Sequence, residues 1–123
     1  MRRVTGIGGV FLKAKDPQAM YAWYERHLGI RPDADGSGVS FQWKDDHDGA
    51  GMTIWSIFKA ESKYFDGPLM INFRVDNLDA LLEVLQAEGV HIDPKRDAAD
   101  YGKFAWIFDP EGNKIELWEP PAI

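Results

Sequence analysis

Glu116 is the residue of this chain whose type and position most invite chemistry. It lies in Lys114 to Trp118, where polar and apolar residues alternate. In a strand, that alternation turns Glu116 away from Ile115 and Leu117. A carboxylate fixed there is either a solvated edge charge or a group pointing into a site. In a site it would act as a general base or as a metal ligand. The run before it, Asp109-Pro110-Glu111-Gly112-Asn113, reads as a tight turn. Pro110 presets φ, and Gly112 or Asn113 can take the left-handed conformation that closes it. The chain has no cysteine. Thiolate metal sites, disulfides and cysteine nucleophiles are therefore excluded.

The elements that must hold this carboxylate occur twice. Val10 to Ala14 is a strand candidate. Asp16 suits a helix N-cap with Pro17 at the first helical position. Met20, Trp23, Tyr24 and Leu28 then form an apolar stripe at spacings of three and four, and Gly29 is the stop. In the second half Met70 to Val75 is the strand and Asn77 the cap. Leu78, Leu81, Leu82 and Leu85 form the stripe, and Gly89 is the stop. The two caps lie 61 positions apart and the two stops 60. Three short strands are expected after each helix. They are Ile30 to Asp33, Val39 to Trp43 and Met52 to Phe58, then Val90 to Ile92, Lys103 to Phe108 and Lys114 to Trp118. Such a repeat means two similar supersecondary units, each too small to bury a face alone. A ferredoxin-like sandwich also repeats a strand-helix-strand unit, but three strands after each helix is one too many for it.

Length and charge set the outer limits. At 123 residues the chain is expected to be one domain, with module one at about 4–60 and module two at about 67–119. A net charge of -6 disfavours nucleic acid and anionic membrane as partners. No apolar run approaches bilayer-spanning length, and a cytoplasmic protein is expected.

These segments resemble the vicinal oxygen chelate superfamily, which includes glyoxalase I, bleomycin-resistance proteins, fosfomycin-resistance enzymes and extradiol dioxygenases. The resemblance covers essentially the whole chain. It rests on Lys15-Asp16-Pro17 with Trp23-Tyr24 and Leu28-Gly29, on Phe73 to Leu78, and on Asp109 to Leu117. Lys63-Tyr64-Phe65, Met70-Ile71-Asn72 and Tyr101-Gly102-Lys103 are similar to a bacterial subfamily of undefined activity. The resemblance implies an α+β fold of two βαβββ modules forming a curled mixed β-sheet cup, and a homodimer. In metalloenzymes of the family, a divalent ion sits in the cup, with ligands from the first and last strand of each module. Carried onto this chain, those positions are Gly9, Met70, Trp55 or Ser56, and Glu116. Only Glu116 offers a good ligand for a hard or borderline ion. The histidines His27, His47 and His91 fall at a helix end, in a polar loop and at a short strand's start. No cofactor is expected, a divalent metal being the alternative.

Projected by alternation, the cup-facing set is Gly9, Phe11 and Lys13, then Met70, Asn72 and Arg74, then Lys114, Glu116 and Trp118. In the aromatic strands both faces are apolar, so alternation does not choose among Phe41, Trp43, Trp55, Phe104, Trp106 and Phe108. Phe11, Lys13, Trp43, Trp55, Asn72, Arg74, Trp106 and Trp118 make up the expected ligand set. The expected function is binding of a small amphipathic molecule in an aromatic cup without a family-type metal. One alternative is a metal-dependent lyase, isomerase or dioxygenase using Glu116. The other is a structural or interaction module in which the aromatics are core and Glu116 pairs with Arg74.

Overall fold

Both expected helices form where their caps predict. The computed structural model describes residues 3–28, 30–36, 38–42 and 51–122. The first helix, α1 (Pro17–Leu28), follows strand β1 (Val4–Ala14). The Asp16 carboxylate accepts from the Ala19 amide at 3.1 Å, satisfying one of the orphan donors of the first turn. The second, α2 (Leu78–Ala87), is capped by Asn77, whose side chain accepts from the Ala80 amide at 3.1 Å. The remaining strands are β2 (Val39–Gln42), β3 (Met52–Lys59), β4 (Leu69–Val75), β5 (His91–Ala99), β6 (Gly102–Phe108) and β7 (Lys114–Glu119).

The chain divides into two compact units, Met1–Gly8 with Met70–Ile123, and Gly9–Leu69. Strand β1 is divided between them at Gly8 and Gly9. In the unit holding the second module, the order is β1-β4-β7-β6-β5. There β4 and β7 are parallel, and β6 is antiparallel to both β7 and β5. Helix α2 lays Leu78, Leu81 and Leu82 on Val75, Ala105 and Leu117, with Phe73, Ile107 and Ile115 packed around them. One face of this sheet is thus the helix-covered core. In the other unit the order is β2-β3-β1, with β1 and β3 parallel. The second module is therefore a full βαβββ unit, and the class is α+β with a mixed sheet, as expected.

Three expectations need correction. Ile30 to Asp33 is not a strand. Asp33 instead organises a turn: its amide donates to the Gly38 carbonyl at 2.7 Å, and its carboxylate accepts from the Ser40 hydroxyl at 2.8 Å. A backbone committed to that turn has no ladder to offer. Second, the buried face of α1 is not the stripe through Met20 and Trp23, which are 38% and 50% exposed. Tyr24 of that stripe does pack inward, but beside Tyr21, which the stripe omits, with Ala14, Ile57, Leu12 and Trp55. The Tyr21 hydroxyl accepts from the Ile57 amide at 2.8 Å, so the ring is buried without stranding its polar tip. Third, β5 is longer than Val90 to Ile92 and carries a register shift between Ile92 and Arg96, where Pro94 removes a ladder donor. The proposed stop Gly29, with Trp43 and His47, lies outside the described residues.

Candidate functional site

The Asp109 turn fixes the strand that carries Glu116. The Asp109 carboxylate accepts from the Glu111 amide at 3.0 Å, the Asn113 amide at 2.9 Å and the Asn113 side chain at 2.8 Å. Those bonds, the Asn113 side chain foremost, hold the Asp109 carboxyl below its ordinary value. Gly112, at φ +84°, is the residue that takes the left-handed conformation. Beyond the turn, β7 pairs with β4 and β6 in a register that aligns three side chains across the sheet. Asn72 and Trp106 lie on either side of Glu116. Arg74 and Phe104 flank Trp118 in the next row, and Phe108 lies beside Lys114. All belong to the face opposite α2, because Ile115, Leu117, Ala105 and Ile107 pack on the helix.

Glu116 is 1% exposed and Asn72 2%. The Asn72 amide donates through Nδ2 to Glu116 Oε2 at 2.5 Å. The amide presents its N–H group to the carboxyl oxygen and turns its own oxygen away. That oxygen, Oδ1, is buried and has no hydrogen-bond partner among the described residues. Leaving such an acceptor unmatched costs about 1–3 kcal/mol. It also lies against the backbone of Gly8. A Cβ at that position would fall 2.0 Å from Asn72 Oδ1 and 2.9 Å from Trp118 Cε3.

Aromatic rings surround this polar pair. Trp106 is 1% exposed, and Lys95 Nζ and Lys114 Nζ lie 5.4 Å and 5.6 Å from its ring centre. Lys114 also pairs with Asp93 at 3.6 Å. Trp118 stacks on Phe104 at 6.3 Å and donates its indole N–H to the Tyr101 carbonyl at 2.7 Å. The arrangement is a carboxylate and an amide set in apolar, aromatic surroundings, which is the usual chemistry of a small-molecule contact surface.

Of the expected residues, this unit brings together Asn72, Arg74, Trp106, Trp118 and Glu116. In the other unit, Phe11 and Lys13 lie on the face of β1 opposite α1. Lys13 Nζ donates to the Phe65 carbonyl and sits 4.7 Å from the Phe65 ring centre. Phe11 packs on Phe58 at 5.3 Å. Trp55 is on the other side of β3, against α1, 4.6 Å from Tyr24 and 5.9 Å from Tyr21. There it is half-buried and packs against the α1 cluster. Sequence reasoning missed Gly8 and Lys95. A glycine inside a strand signals close backbone approach, and that signal was available in Gly8-Gly9. Lys95 comes over Trp106 from the irregular stretch of β5, which alternation does not reach.

The donors at the family metal positions do not fit a catalytic ion. In the unit of Glu116, the first-strand position is Met70, a thioether that is 1% exposed, and the residue directly beside Glu116 is an amide. Among the described residues no three histidine, aspartate or glutamate side chains gather into a metal-type group.

Comparison with known proteins agrees with the architecture. No curated protein sequence matches the chain significantly. Among solved structures, methylmalonyl-CoA epimerase from Mycobacterium tuberculosis is 22% identical, with a TM-score of 0.63 over 97% of this chain and 90% of that one. A variant of the Streptomyces coelicolor methylmalonyl-CoA epimerase, in complex with 2-nitronate-propionyl-CoA, is 17% identical, with a TM-score of 0.71 over 97% and 99%. The Mn(II)-bound glyoxalase from Novosphingobium aromaticivorans is 24% identical, with a TM-score of 0.64 over 97% of this chain and 40% of that one. At these identities the likeness is one of fold. A sequence model of the glyoxalase/bleomycin resistance protein/dioxygenase superfamily matches residues 6–117, nearly the whole chain, and the protein belongs to that superfamily.

Proposed function

We propose that this protein binds a small amphipathic molecule against the aromatic face that carries Glu116, without a family-type metal. The carrying observation is the buried Asn72–Glu116 pair, set among Trp106, Trp118 and Phe104 with one acceptor left unmatched. A purely structural face has no use for an amide that costs stability; apolar side chains would pack there without that loss. The test combines elemental analysis of the purified protein with tryptophan fluorescence against planar amphipathic compounds. Metal-free protein with saturable ligand-dependent changes is the expected result. Stoichiometric metal would refute the metal-free part. A flat fluorescence response across the library would favour the alternative in which this face is simply core, as the 1% exposure of Met70 and Trp106 would suit.

A second reading has its own support. A carboxyl group that is 1% exposed and held by a neighbouring amide is the kind of group that moves protons, and several of the structural neighbours are named as epimerases. If Glu116 is a base, Glu116→Gln abolishes turnover of any substrate found while leaving its binding within about threefold. Equal turnover by the variant would reject the role.

A further inference from the structure

We propose that a cavity beside the start of α2 is a site for a small phosphomonoester, and that the Asp79 carboxylate stands in it as a resident competitor. The site is separate from the aromatic face and does not rest on the binding reading above. The cavity holds about 340 Å³, at the small end of ligand sites, and Leu78, Ala98 and Phe104 supply its apolar lining. The strands supply cations. Arg96 lies opposite Ala105, which packs on α2, so Arg96 shares the helix side of the sheet. Lys103 is two residues from Ala105 on the same strand and follows it to that side. Both line the cavity and converge on Asp79 in the first turn of α2. Arg96 Nη1 lies 3.4 Å from Asp79 Oδ1, and Lys103 Nζ lies 3.3 Å from Oδ2.

The sign of the ligand follows from what is already engaged. Lys103 foremost, with Arg96, holds the Asp79 carboxyl below its ordinary value, so a full negative charge faces the two cations at neutral pH. Asp97, the other acid of the lining, accepts from the Ala98 amide at 2.9 Å. A cationic ligand would meet Arg96 and Lys103 with both acids engaged, whereas an anionic one can replace Asp79. That replacement costs little. Both contacts are longer than the roughly 2.7–2.9 Å of a well-made charge-assisted hydrogen bond. The side chains are 51% exposed for the two cations and 64% for Asp79, and exposed ion pairs contribute little. Asp79 is tethered to its helix and has closed on neither cation. A free phosphate is not tethered, and it offers three oxygens where a carboxylate offers two. Arg96 and Lys103 each carry N–H groups beyond the one given to Asp79. The helix amides are not the site: Leu78 already donates to Glu119 Oε1 at 2.8 Å and Ala80 to Asn77 Oδ1 at 3.1 Å.

The test titrates phenyl phosphate and inorganic phosphate into the full chain at fixed ionic strength, with sodium chloride as the control. Backbone amides are followed by NMR. Saturable shifts at Ala98, Lys103 and Phe104 are expected, with phenyl phosphate the tighter of the two because the lining is partly apolar. Asp79→Asn should tighten phenyl phosphate about tenfold by removing the competing charge. Arg96→Gln and Lys103→Gln should each weaken it about tenfold. Every variant is first checked for a cooperative thermal melt, and Asp79→Ser takes the place of Asp79→Asn should that one not fold. Equal affinity with and without the Asp79 charge overturns the inference. So do shifts that persist unweakened in either cation variant, or no saturable shift in wild type and Asp79→Asn alike. Inorganic phosphate binding as tightly as phenyl phosphate overturns the assignment to a phosphomonoester. None of these results bears on the aromatic face, which is read separately by tryptophan fluorescence.

Discussion

Glu116 is a carboxylate whose meaning is set by what touches it. Alternation in the sequence predicts that it leaves the helix-covered face, and it does. Its partner on the neighbouring strand is Asn72, whose amide donates to it at 2.5 Å. The contact beyond that pair, from Gly8, gives a residue-scale prediction. Gly8→Ala should lower stability by about 1–3 kcal/mol through overpacking. In an Asn72→Ala background the cost should fall to less than half, because only the approach to Trp118 remains. Urea denaturation of the four proteins in this cycle measures the coupling. Equal costs in both backgrounds would show that Gly8 does not act through Asn72.

At the scale of elements, the repeat is clear where local chemistry is strong. Both N-caps, the four-leucine stripe of α2 and the turn at Asp109 follow from residue type and spacing. The first helix shows where such spacing misleads: its Met20 and Trp23 obey the right period but stay exposed, because Tyr21 can bury its ring and still bond the Ile57 amide. Periodicity identifies a helix more securely than it orients one. Ile30 to Asp33 shows the same limit for strands, since a side chain that caps a turn takes the backbone out of the ladder. The Asp109 turn carries the prediction at this scale. Its carboxyl is held below the ordinary value of 3.8 by the Asn113 and backbone donors. A depressed carboxyl stabilises the fold above its unfolded value, and that stability is lost as pH falls through the lower folded value. Asp109→Asn should therefore be less stable than the wild type at neutral pH. The gap should close as the pH falls below the ordinary carboxyl value of 3.8 and through the lower folded one. Urea midpoints across this range check it, and a gap constant with pH would refute it.

For the whole molecule, superfamily membership rests on residues 6–117 and on the order of the elements. No helix among the described residues is long and apolar enough to cross a membrane. The homodimer implied by the resemblance belongs to the proposal. Sedimentation equilibrium at micromolar concentration should return twice the 13.9 kDa chain mass, and a single-chain mass throughout the accessible range would reject it. By itself, the sequence determined the repeat, the caps, the turn and the lack of thiol chemistry. These are matters of residue type and short-range spacing, which need no knowledge of what lies across the chain. Only tertiary structure decided that Trp106 shares a face with Glu116 while Trp55 packs under α1. Both strands are apolar on both sides, so pairing register and helix placement had to choose. Only tertiary structure, too, brought Gly8 to Asn72, a contact between residues 64 positions apart that exists because the first strand of the chain runs beside the fifth element's amide row.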